Sequence, residues 1–325
     1  MRHFIVLLLS LVVLSCEKEF DPETTFDGPQ MVVEAYVQKG PNAFPPYAIL
    51  TKSLEYGSTI GTDVLKDIFV HDAFIQLTNG IDTVQLTEFC ASDLSFLPDF
   101  IKQAISESIG IPVEVLNGNG IDICVYADFP AVLGLSNLTI TENTEYTLLI
   151  ETPEYGSVKA TSYLYPAVPL DSLNYIDHPN FPANDSLVEV LGYFNDPADE
   201  LNYYRLFSQR NDEPMYATST RGSGGTVSDD NIFNGQAFAF NIIRGQDPFS
   251  DFNFDSFGYF SRGDTVTVRT SSIDYKQYRF WQTLEYNSGA QGPYGTYTRI
   301  ESNIEGGLGI FGCYAYEDYT IIIPE

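Results

Sequence analysis

The chain has 325 residues, with 44 acidic and 16 basic side chains and a formal net charge of −28. That imbalance argues against nucleic acid as a partner and against electrostatic docking on anionic lipid. It is not the acidity of a disordered tail, because 22 Tyr, 23 Phe and one Trp supply aromatic core for one large or two ordinary domains.

Residues 1–16, MRHFIVLLLSLVVLSC, read as a lipoprotein export signal. Arg2 supplies the positive start, and the apolar run from Phe4 to Leu14 is too short to span a bilayer. Small Ser15 precedes Cys16, so Val13, Leu14, Ser15 and Cys16 resemble a lipobox, in which the cysteine is acylated and becomes the mature N-terminus. Loss of Arg2 would take the mature charge to about −29. No cofactor is expected beyond the covalent diacylglycerol and acyl lipid on Cys16. Residues 16–29 are acidic and punctuated by Pro and Gly, which predicts a tether.

Strand-like runs follow at 31–37, 47–51, 73–77, 83–87 and 146–151, separated by turn signals such as Asn79-Gly80. In 98–109, Phe100, Ile101, Ala104, Ile105 and Ile109 recur at helical spacing, which predicts a short amphipathic helix inserted near 92–112. Two prolines, Pro166 and Pro169, mark a boundary. Further strands are predicted at 187–194, 203–209, 237–243, 265–270 and 319–323. A helix is predicted over 273–286, with Ser272 as N-cap and Ile273, Phe280, Trp281 and Leu284 on its buried face. The expected fold class is therefore all-β and mainly antiparallel, with two sandwich-like modules. The first, 30–168, is Ig-like with the helical insertion; the second, 169–325, is β-rich with one helix.

If Cys16 is lipidated, Cys90, Cys124 and Cys313 remain. One account pairs Cys90 with Cys124, which flank the insertion, and such a bond contributes roughly 3–4 kcal/mol in the chain-entropy model. The other account leaves all three reduced and buried. No CxxC or HxxxH spacing points to zinc, so no metal site is expected from cysteine and histidine.

Catalytic signatures are sparse. The sequence has no GxSxG, HExxH or GxxxxGK[ST] pattern. His178, before Pro179, reads as a solvated surface histidine. Asp251, Asn253 and Asp255 alternate as at the start of a calcium loop, but Ser256 replaces the glycine and Arg262 the bidentate glutamate. In the competing strand reading those three face water while Phe252, Phe254 and Phe257 face the core. Tyr294 and Tyr297, in a loop-like stretch, form a candidate contact surface. The glycines of 303–312 predict left-handed backbone or close backbone approach rather than a phosphate cradle.

Several segments together resemble the domain-of-unknown-function 4249 family of Bacteroidota-type outer-membrane lipoproteins. They are Leu14 to Lys18, Val32 to Tyr36, Pro169 to Leu173, Asp196-Pro197, Asn202 to Arg205, Asp230 to Gln236, Ser302 to Ile304 and Gly306 to Gly312. Cys313 stands where a small residue such as Gly is expected, and 90–130 is longer than usual. The resemblance implies an outer-membrane location, on the periplasmic or cell-surface face, and the company of a TonB-dependent receptor. It transfers no catalytic residue. The expected function is a non-enzymatic accessory role in binding or uptake of an unidentified nutrient. The alternatives are a surface hydrolase using paired carboxylates and an adhesive Ig-like module.

Overall fold

The computed structural model describes residues 28–325, apart from 56–63, 65–66, 95–98, 100–101, 104–121, 181, 199, 247–252 and 290–297. Cys16, the tether before Gly28, and the apolar stripe of the insertion helix lie outside the described residues. Within 98–109, Asp99, Lys102 and Gln103 are helical.

The first group of strands is β1 (Met31–Lys39), β2 (Tyr47–Lys52), β3 (Phe74–Thr78), β4 (Thr83–Cys90), β5 (Cys124–Ala127), β6 (Thr144–Thr152) and β7 (Gly156–Leu164). The second is β8 (Leu170–Asp177), β9 (Leu187–Asn195), β10 (Tyr203–Arg210), β11 (Tyr216–Thr218), β12 (Val227–Asp229), β13 (Ala237–Ile242), β14 (Phe260–Ser261) and β15 (Thr265–Ile273). Helix α1 (Tyr275–Gly289) then leads to β16 (Ile304–Glu305) and β17 (Leu308–Ile322). The chain is all-β and mainly antiparallel.

One sheet of 13 strands runs β11-β10-β15-β17-β1-β2-β5-β4-β3-β6-β7-β16, with β12 also on β10. A second sheet of four strands runs β13-β9-β14, with β8 also on β9. The large sheet folds over itself, because residues of β1, β2 and β17 share one core with residues of β3, β6 and β7. Val33, Ala35 and Val37 of β1 meet Ile75, Leu77, Leu148 and Ile150 there. The small sheet covers the other end: Val188, Val190 and Phe194 of β9 pack with Tyr204 of β10 and with Val266 and Val268 of β15.

β17 belongs to both cores. It pairs parallel with β1 from Val32↔Leu308 to Lys39↔Ala315, and antiparallel with β15 from Ser272↔Ala315 to Thr265↔Ile322. Because a strand alternates its side chains, its odd residues share one face. Phe311, Cys313 and Ala315 enter the first core, and Tyr319 and Ile321 pack against the second. On the opposite face Ile310 and Tyr314 meet Phe280, Trp281 and Leu284 of α1.

The helix starts two residues later than its pattern predicts. Ser272 is the penultimate residue of β15, and its Oγ accepts the Val168 N–H at 3.1 Å. Asp274 caps instead, its Oδ1 accepting the Gln277 N–H at 2.8 Å. The other carboxylate oxygen accepts Ser162 Oγ–H at 2.7 Å and the Tyr163 N–H at 3.1 Å, so one side chain ties α1 to β7.

The glycine-rich 303–312 segment serves backbone geometry. Gly309 has φ +107°, and a Cβ there would overlap the carbonyl oxygen of Val33. Asn303 fixes the same turn, donating to Phe311 O at 2.7 Å and accepting the Phe311 N–H at 2.9 Å. Gly309→Ala should therefore lower stability by at least about 2 kcal/mol. Urea midpoints measure it, and a loss within the scatter of ordinary surface substitutions would refute the close approach.

Candidate functional site

A cavity of about 80 Å³ lies between the small sheet and β10, lined by Phe194, Tyr204, Leu206, Phe233, Phe238 and Phe240 among others. Its wall is held by edge-on aromatic contacts, Phe194–Tyr204 at 5.0 Å and Phe194–Phe238 at 5.6 Å, with Phe233 tilted 4.2 Å from Phe238. The volume is below the roughly 150 Å³ that accepts a benzene ring, so it suits a short aliphatic group.

Behind this wall two buried carboxylates organise the backbone. Tyr204 Oη donates to Asp196 Oδ1 at 2.6 Å, and Asp196 Oδ2 accepts the Gly235 N–H at 3.0 Å. Asp230 Oδ2 accepts the Asn202 N–H at 2.9 Å and Asn234 Nδ2–H at 3.2 Å, while its Oδ1 is buried without a hydrogen-bond partner. Burial, reinforced by the neighbouring Asp196, raises the Asp230 carboxyl above its ordinary value. The pair is consumed in holding segments 196–204 and 230–235 together, which is a positioning role.

A second feature is open and polar. Tyr275, Lys276 and Arg279 of α1 face Glu301, Ser302 and Glu305 across about 290 Å³. Its cations are partly spent: Arg279 Nε donates to Glu301 at 3.1 Å, and Lys276 Nζ to Thr161 Oγ1 at 2.7 Å. Nearby, the Arg205 guanidinium sits 3.4 Å over the Trp281 ring and 5.0 Å over Phe207. Burial lowers the Arg205 pKa and pushes the Tyr36 and Tyr47 hydroxyls well up.

A third feature joins four residues of chemically active type. Cys90 and Cys124 stand opposite one another across β4 and β5 and form a disulfide. His71 Nδ1 lies 2.6 Å from Glu88 Oε1. One ligand-type atom from each of His71, Glu88, Cys90 and Cys124 lies within 4.8 Å of every other.

The family model described as Domain of unknown function (DUF4249) matches residues 17–320. The chain belongs to the DUF4249 family. No curated protein matches it. In this DUF4249 chain the match runs from residue 17 through β1 and into β17, so it covers the first core and all of the second except Ile321 and Ile323.

The residues singled out from the sequence fare differently. Cys90 and Cys124 meet; Cys313 is free and fully buried, its thiol pushed well up by burial. Asp251, Tyr294 and Tyr297 lie outside the described residues. Asn253 and Asp255 are exposed in a turn, where Asn253 Oδ1 accepts the Asp255 N–H at 3.0 Å. The strand reading of that stretch is corrected: Phe254 is 85 % exposed and Phe257 43 %, because a turn does not alternate its side chains between core and water. His178 is also corrected from surface to buried. Its Nδ1 accepts the Asn180 N–H at 3.0 Å and its ring lies 4.3 Å from that of Tyr259. Sequence reasoning missed His71 and Glu88. Part of the signal was present, since Glu88 and Cys90, two apart in one strand, share a face.

The raised Asp230 value has a sign. The folded state holds that proton to higher pH than the unfolded chain, so the stability it contributes is present below the ordinary 3.8 and lost as pH rises through the raised value. Asp230→Asn cannot ionise and keeps an acceptor for Asn202. Its stability relative to wild type should therefore increase as pH rises from about 4 toward neutrality. Urea denaturation of both proteins across that range measures this, and parallel pH profiles would refute it.

Proposed function

We propose that this DUF4249 chain is a lipid-anchored outer-membrane accessory protein that partners a TonB-dependent receptor in binding or uptake of a nutrient. The observation that carries the reading is the sequence Val13-Leu14-Ser15-Cys16 behind an apolar run too short to cross a bilayer. An acidic tether follows it directly. The role is one of binding, with Cys16 as the anchor and a body carrying a net negative charge held off a negative membrane by acyl chains. A single acyl chain binds only marginally and reversibly, so a multiply acylated cysteine fits stable anchoring. The aromatic cavity between β9, β10 and β13 is the surface on which a short apolar group of a ligand or partner would seat.

Cys16→Ser should abolish incorporation of labelled palmitate and move the protein out of the outer-membrane fraction, leaving the melting midpoint of the folded body unchanged. Retention in that fraction without label would overturn the anchor. Wild-type protein, affinity-purified from detergent-solubilised outer membranes, should bring down a TonB-dependent barrel. Recovery with no barrel would overturn the partnership while leaving the anchor standing. Phe238→Trp, which fills the cavity, should reduce that recovery roughly 10-fold or more if the cavity is the contact, equivalent to about 1.4 kcal/mol.

A further inference from the structure

We propose that the junction of β4 and β5 is a zinc site masked by its own disulfide, with Cys90, Cys124, His71 and Glu88 as ligands. The four come from three separated parts of the chain, and each is positioned by contacts that do not involve a metal. Glu88 and Cys90 point to the same face of β4, and the strand register sets Cys124 opposite Cys90. His71 sits on the segment before β3, which is clamped at both ends by one side chain. Tyr126 Oη donates to Val70 O at 3.0 Å and accepts the Ala73 N–H at 3.1 Å. Glu88 grips that segment between the clamps, with Oε1 2.6 Å from His71 Nδ1 and Oε2 accepting the Asp72 N–H at 3.2 Å.

The four ligand atoms lie within 4.8 Å of one another. Zinc–sulfur bonds of about 2.3 Å and zinc–nitrogen or zinc–oxygen bonds of about 2.0–2.1 Å set tetrahedral ligand separations of roughly 3.3–3.8 Å. The set therefore needs its widest pairs to close by about 1 Å, while the bonded sulfurs and the His71 Nδ1–Glu88 Oε1 pair at 2.6 Å move apart. Two thiolates, one imidazole and one carboxylate suit zinc and not calcium or magnesium, which take oxygen ligands. Cys124 is buried and His71 exposed, so the site opens to solvent on the histidine side.

Unmasking requires a dithiol reductant. Its thiolate attacks one sulfur of the Cys90–Cys124 bond, which breaks as a mixed disulfide forms. Its second thiolate then displaces the protein sulfur, so the reductant leaves oxidised and two electrons and two protons reside on Cys90 and Cys124. Zinc binding releases both thiol protons to solvent, so affinity rises with pH.

The test uses full-length protein in detergent, reduced anaerobically on an immobilised dithiol and titrated with zinc chloride against a chromogenic chelator. Reduced wild type should gain one equivalent of tightly bound zinc that oxidised wild type and Cys90→Ser/Cys124→Ser lack. Cobalt should give a thiolate charge-transfer band in the reduced wild type alone. Reduced His71→Ala should bind at least about 10-fold more weakly. Equal zinc binding by reduced wild type and the double serine variant, or no effect of His71→Ala, would overturn the proposal and leave a surface ion pair beside a structural disulfide. If reduction unfolds the protein, zinc should raise the melting midpoint of reduced wild type but not of reduced His71→Ala; no shift in the wild type overturns it equally.

Discussion

The parallel pairing of β1 with β17 is the contact on which the rest of this fold depends. It joins one of the first ordered strands to the last, and it puts β17 in the middle of the large sheet with β15 on its other side. Parallel pairs are ordinarily buried on both faces, and this one is from Ala35↔Phe311 onward: the first core lies on one side and α1 on the other. Each of the four apolar clusters among the described residues includes a residue of β17, so its register fixes how they meet. Gly309 permits the approach to Val33, and Gly312 leaves room for Gln277, whose amide donates to Cys313 O at 2.8 Å.

Strands that bury one face were legible in the sequence, because water on the other side writes a period of two. Phe74–Thr78, Thr83–Cys90 and Thr144–Thr152 fall on or near their expected positions. The first half of β17 was not legible. LGIFGCYAY alternates nothing, since both faces are covered from Ile310 to Tyr316, and its glycines read as loop. The helix was found by its apolar face, but its start moved because Ser272 and Asp274 are both good caps. Only the packing of β15 decides between them. Pairing order is a further loss: nothing local in β1 says that its neighbour lies near the far end of the chain.

The candidate sites divide along the same line. Cys90 and Cys124 flank an insertion, and that position was enough to propose their pairing. Glu88 neighbours Cys90 by strand alternation, but His71 joins them through Tyr126, which holds the 70–73 segment against β5, a long-range contact that no spacing rule encodes. His178 was misplaced for a similar reason, since the Tyr259 ring that covers it is supplied by a distant turn. Asp196 and Asp230 look like surface chemistry in one dimension and prove to be buried braces in three, holding half-buried Asn202, exposed Asn234 and the Gly235 backbone.

The β1–β17 seam also has a temporal meaning. A chain whose central pairing needs β17 cannot complete its core while that strand is still being made. Closing so long a loop raises the entropic cost only logarithmically, but it makes the fold rich in non-local contacts and correspondingly slow to form. Until β17 arrives, β1 presents an unpaired edge, which exposes the chain to off-pathway strand pairing. The geometry that seals the finished body thus sets the moment of folding at the arrival of β17 rather than before it.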